Sequence, residues 1–123
     1  IKGLEFEVAQ LTKSGLYNIR LTVTGNTLFL DTQKELVVFR IVQEALNNII
    51  KHANASIIKI ELHYSASTLS LKISDNGTGF DQTMGNGSGL INMKKRTEML
   101  AGQITINSEL NAGTTISINI PLL

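Results

Sequence analysis

Cysteine is absent from the chain, and with it any disulfide framework or thiolate metal site. That fits the cytosol without requiring it. Proline occurs once, at Pro121, and no low-complexity linker or repeat divides the sequence. Charge is also scarce. Charged residues make up 17% and the net charge is +1, so no polyanion-binding surface is indicated and direct nucleic-acid binding is not expected. Long apolar runs are missing too. "LVVFRIVQEALNNII" carries Arg40, Gln43, Glu44 and two asparagines, so it falls short of the roughly 18 apolar residues a membrane span needs. The chain opens at Ile1 with neither methionine nor a signal-like segment, which leads us to expect a piece of a longer protein.

What is present suits one globular domain: 123 residues, 42% of them hydrophobic. We read residues 1–123 as that single unit. "IKGLEFEVAQLTK" is weakly helical and ends near Ser14-Gly15. "YNIRLTV" alternates Tyr17, Ile19, Leu21 and Val23 against polar neighbours, which is strand periodicity. Gly25 and Asn26 form a turn, and "TLFL" reads as a short strand. A long helix is expected from Gln33 to His52, with Thr32 and Glu35 at capping-box spacing and Asn54 placed to adopt a left-handed end. "IIKIELHY" and "TLSLKIS" are strands joined by a polar turn at Ser65 to Ser67. After a loop over 75–89, Leu90, Met93, Thr97 and Leu100 share a helical face, and Gly102 is expected to end that helix. "QITINS" and "TTISINIPL" read as a closing hairpin around Asn111 to Gly113. The order predicts an α/β (α+β) two-layer sandwich, a mixed sheet with helices over one face.

Three stretches could carry chemistry. On the long helix, at about 100° per residue, Arg40, Glu44, Asn47, Asn48 and Lys51 share one arc. Val38, Val42, Ala45, Leu46, Ile49 and Ile50 lie opposite. A solvated polar face is the plain interpretation, but adjacent asparagines are poor residues for a helix interior. An amide oxygen suits magnesium, which takes few protein ligands and keeps water and phosphate oxygens. A lysine one turn on could meet phosphates, and a carboxylate one turn back could orient a nucleophile. The second stretch is "DNGTGF", a carboxylate at a strand's end followed by Gly77 and Gly79. An ionised aspartate only accepts hydrogen bonds and so suits a ligand offering an amino group, such as adenine. A tight surface turn fits the same six residues. The third is "GNGSGL", where Gly87 and Gly89 precede a helix whose free N–H groups could face an anion. Residues 79–88 are polar enough for a lid over a nucleotide, or for a plain flexible loop. "AGTTISINIPL" adds Gly113 and Thr114 at the last strand, where a hairpin turn is the simplest account.

Order and spacing say more than any one stretch. "EALNNIIKH", then "DNGTGF", then "GSGL", then "GT", resembles the ATP-binding catalytic domain of sensor histidine kinases. Its superfamily also holds gyrase, the heat-shock chaperone ATPase and the mismatch-repair ATPases. "FRIVQEALNNIIKHANA" and "GSGLINMKKRTEMLAG" look closest to kinases that pair with LuxR/NarL-type response regulators. The resemblance runs from about Leu36 to Leu122. It implies ATP and Mg2+ as cofactors, with Asn48 as magnesium ligand and Glu44 as the acid that helps polarise the acceptor histidine. Lys51 and His52 match phosphate-side positions. Asp75 matches the adenine-binding aspartate, with Gly77 and Gly79 shaping its pocket. Gly87, Ser88, Gly89 and Leu90 match the lid next to the phosphates, and Thr114 the threonine that supports adenine recognition through water. The implied sheet is mixed and mostly antiparallel, covered on one face by about three helices, with the ATP lid between sheet and last helix.

Ser88 departs from the pattern, since many relatives carry histidine there. Neither His52 nor His63 has the setting of the family's phosphoacceptor histidine, which lies on a separate helical hairpin. The resemblance therefore implies nucleotide binding without autophosphorylation by these residues alone. Its implied partners are a dimerisation and phosphoacceptor domain of the parent kinase, expected to be a homodimer, and a response regulator. The expected setting is a cytoplasmic domain, and membrane anchoring of the parent is left open. Two alternatives stand beside this one: an anti-sigma-type serine kinase, and a regulatory nucleotide-binding module with little catalysis.

Overall fold

The computed structural model describes residues 2–13, 18–25, 32–49, 57–65, 67–77, 88–108 and 113–121. In chain order these form α1 (Lys2–Lys13), β1 (Asn18–Gly25), α2 (Thr32–Asn48), β2 (Ile57–Tyr64), β3 (Thr68–Asp75), α3 (Ser88–Met99), β4 (Gln103–Ser108) and β5 (Thr114–Pro121). The strands make one sheet in the order β1-β2-β3-β5-β4. β1 and β2 run parallel, and the other pairings are antiparallel. Parallel neighbours need a crossover rather than a tight hairpin, and α2 lies in that connection. The sheet is thus mixed, as the element order predicts, and mostly antiparallel, as the resemblance implies.

Alternation along the strands decides which face is covered. β2 buries Ile58, Ile60, Leu62 and Tyr64 and exposes Ile57, Lys59, Glu61 and His63. β3 and β5 put Leu69, Leu71, Ile73, Ile116, Ile118 and Ile120 on the same buried side. Against them α2 packs Val38, Ile41, Val42, Ala45, Leu46 and Ile49, and α3 packs Met93. A fully buried aliphatic side chain stabilises by roughly 1.5–3 kcal/mol over an exposed one. The helix-propensity deficit of an asparagine is below about 0.7 kcal/mol. Packing therefore holds α2 helical through Asn47 and Asn48.

The helix ends refine the expectations. α2 is helical to Asn48; residues 50–52, Asn54 and the "TLFL" segment lie outside the described residues. α3 begins at Ser88, two residues before the expected apolar start, so Ser88 and Gly89 belong to its first turn rather than to a preceding loop. At the other end the left-handed residue is Ala101, at φ +57°, and not Gly102. The N–H of Gly102 donates to Thr97 O and that of Ala101 to Glu98 O, the paired bonds of a Schellman ending. Gly102 has a different constraint. A Cβ there would lie 2.7 Å from the carbonyl oxygen of Asn119.

Candidate functional site

Connectivity and register bring several of the sequence-marked residues to one end of the sheet. β2 begins and β3 finishes there, with Ile58 opposite Asp75. β5 begins and β4 finishes there too, with Asp75 opposite Thr114 and Ser108 opposite Thr114. α2 runs from the strand end at Gly25 toward the start of β2, so Glu44 and Asn48 sit on its last turns at this same end. α3 finishes against β5 at Asn119, on the far side, which directs its first turn, with Ser88, Gly89 and Leu90, toward the Asp75 end. Lys51, His52, Gly79 and Gly87 lie outside the described residues.

Asp75 continues the buried phase of β3, two residues beyond Ile73, so its side chain emerges on the helix-covered face at the rim of the core. Gly77 N–H donates to Asp75 Oδ1 at 2.7 Å. Burial pushes the carboxyl above the ordinary aspartate range, partly offset by the backbone N–H groups of Gly77 and Thr114 that favour the charged form. The carboxylate keeps acceptor capacity beyond these bonds. A donor arriving in the pocket would meet a partly desolvated, pre-oriented acceptor.

The neighbouring backbone is fixed closely. Asn76 ties β3 to β2 from both sides: its N–H donates to Ile57 O at 3.2 Å, and its Oδ1 accepts from Ile57 N–H at 2.9 Å. The amide in "DNG" thus holds the strand end that carries Asp75. Gly113 has φ +78°, and a Cβ there would lie 2.2 Å from Asp75 O, so both its conformation and its close approach require glycine. Thr114, half-buried, shares a 2.8 Å hydroxyl contact with buried Ser108. Sequence reasoning missed Asn76 as a clamp and missed Ser108 entirely. The available signal for Ser108 was a serine at an inward position of "QITINS", where Ile104 and Ile106 precede it.

On α2, the inward face is fully buried, while Glu44 and Asn48 are half-exposed one turn apart on the polar arc. Among the described residues neither side chain has a hydrogen bond or ion pair. No group of three or more histidine, cysteine or acidic side chains that could hold a metal occurs among the described residues. A single amide oxygen beside one carboxylate fits magnesium of the kind that keeps water and phosphate oxygens as its other ligands. A cleft of about 410 Å³ also borders Asp75, lined by Asn18, Arg20, Ile57, Lys59, Ser74 and Asn76. Arg20, Lys59 and Ser74 face one another in register on the uncovered side of the sheet, away from the Asp75 carboxylate. No helix among the described residues is long and apolar enough to cross a membrane.

Residues 33–123 match the family model described as histidine kinase-, DNA gyrase B-, and HSP90-like ATPase. The chain is 48% identical over 90 residues to the signal transduction histidine-protein kinase/phosphatase DegS of Brevibacillus brevis, covering 72% of this chain and 23% of that protein. It is 37% identical over 95 residues to the oxygen sensor histidine kinase NreB of Staphylococcus carnosus, covering 75% of this chain and 27% of that one. The chain therefore spans about a quarter of the length of these curated relatives. Among solved structures, the Acinetobacter baumannii histidine kinase AdeS aligns with a TM-score of 0.77 at 20% identity, over 98% of this chain and 61% of that one. The histidine kinase domain of a blue-light activated kinase from Erythrobacter litoralis aligns at 0.74 and 19% identity, over 98% and 59%. These structures share the fold. With the family model covering the long helix, the strand-end aspartate and the closing hairpin together, the chain belongs to the histidine kinase-, DNA gyrase B- and HSP90-like ATPase family.

Proposed function

We propose that residues 1–123 are one domain, the ATP-binding, phosphotransfer-catalysing part of a two-component sensor histidine kinase. The observation that carries this reading is the convergence of Asp75, Gly77 and Thr114 at the sheet end that the Glu44–Asn48 helix also reaches. The DegS and NreB similarities favour a histidine kinase over the other branches of the family.

In this reading Asp75 accepts from the adenine amino group, Gly77 and Gly79 let the backbone approach the ring, and Thr114 completes recognition. Lys51 and His52 serve the phosphate side. Gly87, Ser88, Gly89 and Leu90 cover the phosphates, with the free N–H groups of the first turn of α3 offered to anionic oxygens. Asn48 would hold magnesium, which supplies charge neutralisation on the phosphates when bound. Glu44 orients the acceptor imidazole of a separate dimerisation and phosphoacceptor domain. Catalysis is then mainly positioning and charge stabilisation. The parent kinase is a homodimer, and the phosphoryl group passes on to a LuxR/NarL-type regulator.

The test supplies ATP labelled in the γ-phosphate to the purified chain, alone and with the isolated acceptor hairpin of a DegS-like kinase. Expected is no label on the chain by itself and acid-labile label on the hairpin. Label on the chain itself, or none on either, counts against the kinase assignment.

A further inference from the structure

The face of the sheet that the helices leave uncovered is polar, and its charges are placed unevenly. One row in from the end that carries Asp75 and Asn76, β1, β2 and β3 present Arg20–Lys59–Ser74. The next row presents Thr22–Glu61–Lys72. Glu61 therefore stands opposite Lys72, as cross-strand charge pairing favours. Arg20 and Lys59 stand opposite each other. Neighbouring strands are about 4.8 Å apart, and like charges side by side at that spacing destabilise a sheet. Among the described strand residues Glu61 is the only acidic side chain on this face, and it makes no ion pair with either cation.

Arg20, Lys59 and Ser74 line a cleft of about 410 Å³ together with Asn18 and Ile57. Among the described residues the side chains of Arg20, Lys59, Ser74 and Asn18 have no hydrogen bond or ion pair. Arginine and lysine can only donate hydrogen bonds, and the Ser74 hydroxyl has a proton to give. The Asp75 carboxylate is turned to the opposite, helix-covered face. The cleft thus gathers donors and positive charge with no anionic side chain to meet them.

We propose that this cleft binds a phosphate group, carried by the free ion or by a small monoester. A phosphate group near neutral pH carries between about −1.5 and −2 charges, so it can neutralise both cations, where a carboxylate would leave one unmatched. The Arg20 fork suits two phosphate oxygens, Lys59 adds a point charge, and Ser74 supplies a further donor. Ile57, 41% exposed beside them, offers an apolar wall to the organic part of a monoester. The cleft lies on the face away from the proposed nucleotide pocket and does not depend on that reading.

Amide NMR titration of the 123-residue chain with inorganic phosphate and with phenyl phosphate, chloride being adjusted to hold ionic strength constant, tests this. Saturable shifts are expected at Arg20, Lys59 and Ser74. Arg20→Gln and Lys59→Gln should each weaken phosphate binding about tenfold, the scale of a hydrogen bond to a charged group. Lys72→Gln removes an equal charge one row away and should leave the affinity unchanged. The repulsion between the two cations gives a second readout. Lys59→Gln should raise the melting temperature in phosphate-free buffer, and phosphate should then raise that of wild type more than that of the variant. Tighter binding of phenyl phosphate assigns the cleft to a monoester and equal binding to the free ion; either supports the proposal. Shifts that do not saturate, shifts confined to Ser88–Leu90 at the nucleotide end, or an equal loss in Lys72→Gln would overturn it. So would melting temperatures that phosphate raises equally in wild type and Lys59→Gln.

Discussion

Asp75 is held in a state that serves a ligand better than it serves the empty fold. Burial raises its pKa above the ordinary aspartate value of 3.8, against the pull of two backbone donors. For an acid whose folded pKa is raised, the native chain holds its proton more tightly than the unfolded one. Stability is then greatest below the unfolded value of 3.8 and falls as pH rises through the raised folded value. Asn at this position keeps an acceptor for Gly77 and carries no charge. Asp75→Asn should therefore raise the ligand-free melting temperature near neutral pH, with the gain vanishing as pH approaches 3.8. Thermal unfolding measured across pH on both proteins checks the sign. A variant less stable than wild type at pH 7 would mean that the carboxylate has stabilising partners besides the backbone of Gly77 and Thr114. A residue that lowers stability where it sits and is required for binding is what a stability–function trade-off predicts.

At the scale of elements, the end of α3 offers a test independent of any ligand. The Schellman bonds require a left-handed residue at position 101, and alanine occupies it. An L-residue with a Cβ is disfavoured there by about 1–2 kcal/mol, part of which is returned by the narrower unfolded ensemble of alanine relative to glycine. Ala101→Gly should then stabilise by about 0.5–1 kcal/mol, read as a higher denaturation midpoint at unchanged slope. No gain, or a loss, would contradict the assigned ending. The same helix end illustrates what was legible in the sequence. Helical spacing of Met93 and Thr97 and the nearby glycine locate α3 and its end, but nothing in the local sequence marks Ala101 as the left-handed residue. Gly102 is constrained instead by the Asn119 carbonyl across the sheet, and local sequence carries no sign of that contact. Ser108 escaped for a related reason. Its partner Thr114 is near in sequence, but the significance of a polar inward position emerges only once the row through Asp75 is assembled. By contrast α2 was readable from one face, because Val38, Val42, Ala45, Leu46 and Ile49 follow the 3.6-residue period and all are buried.

For the whole molecule, the fold divides labour between its two ends. The far end, with the Ala101–Gly102 ending packed on β5, closes the core. The near end gathers the terminus of α2, the start of α3 and the polar row Asp75–Thr114–Ser108. Antiparallel pairing makes this possible, since it places a strand finish beside a strand start and lets residues distant in sequence share one level. The family's order of motifs along the chain is the linear trace of that arrangement. The proposed binding of ATP at this end depends on Asp75. Calorimetric titration of ATP with magnesium into wild type and Asp75→Asn tests it most directly, since it reads affinity apart from the stability change expected of the substitution. Expected are ATP binding by wild type and a loss of at least about tenfold in Asp75→Asn, the scale of hydrogen bonds to a charged acceptor. Equal affinity in the two proteins would contradict it.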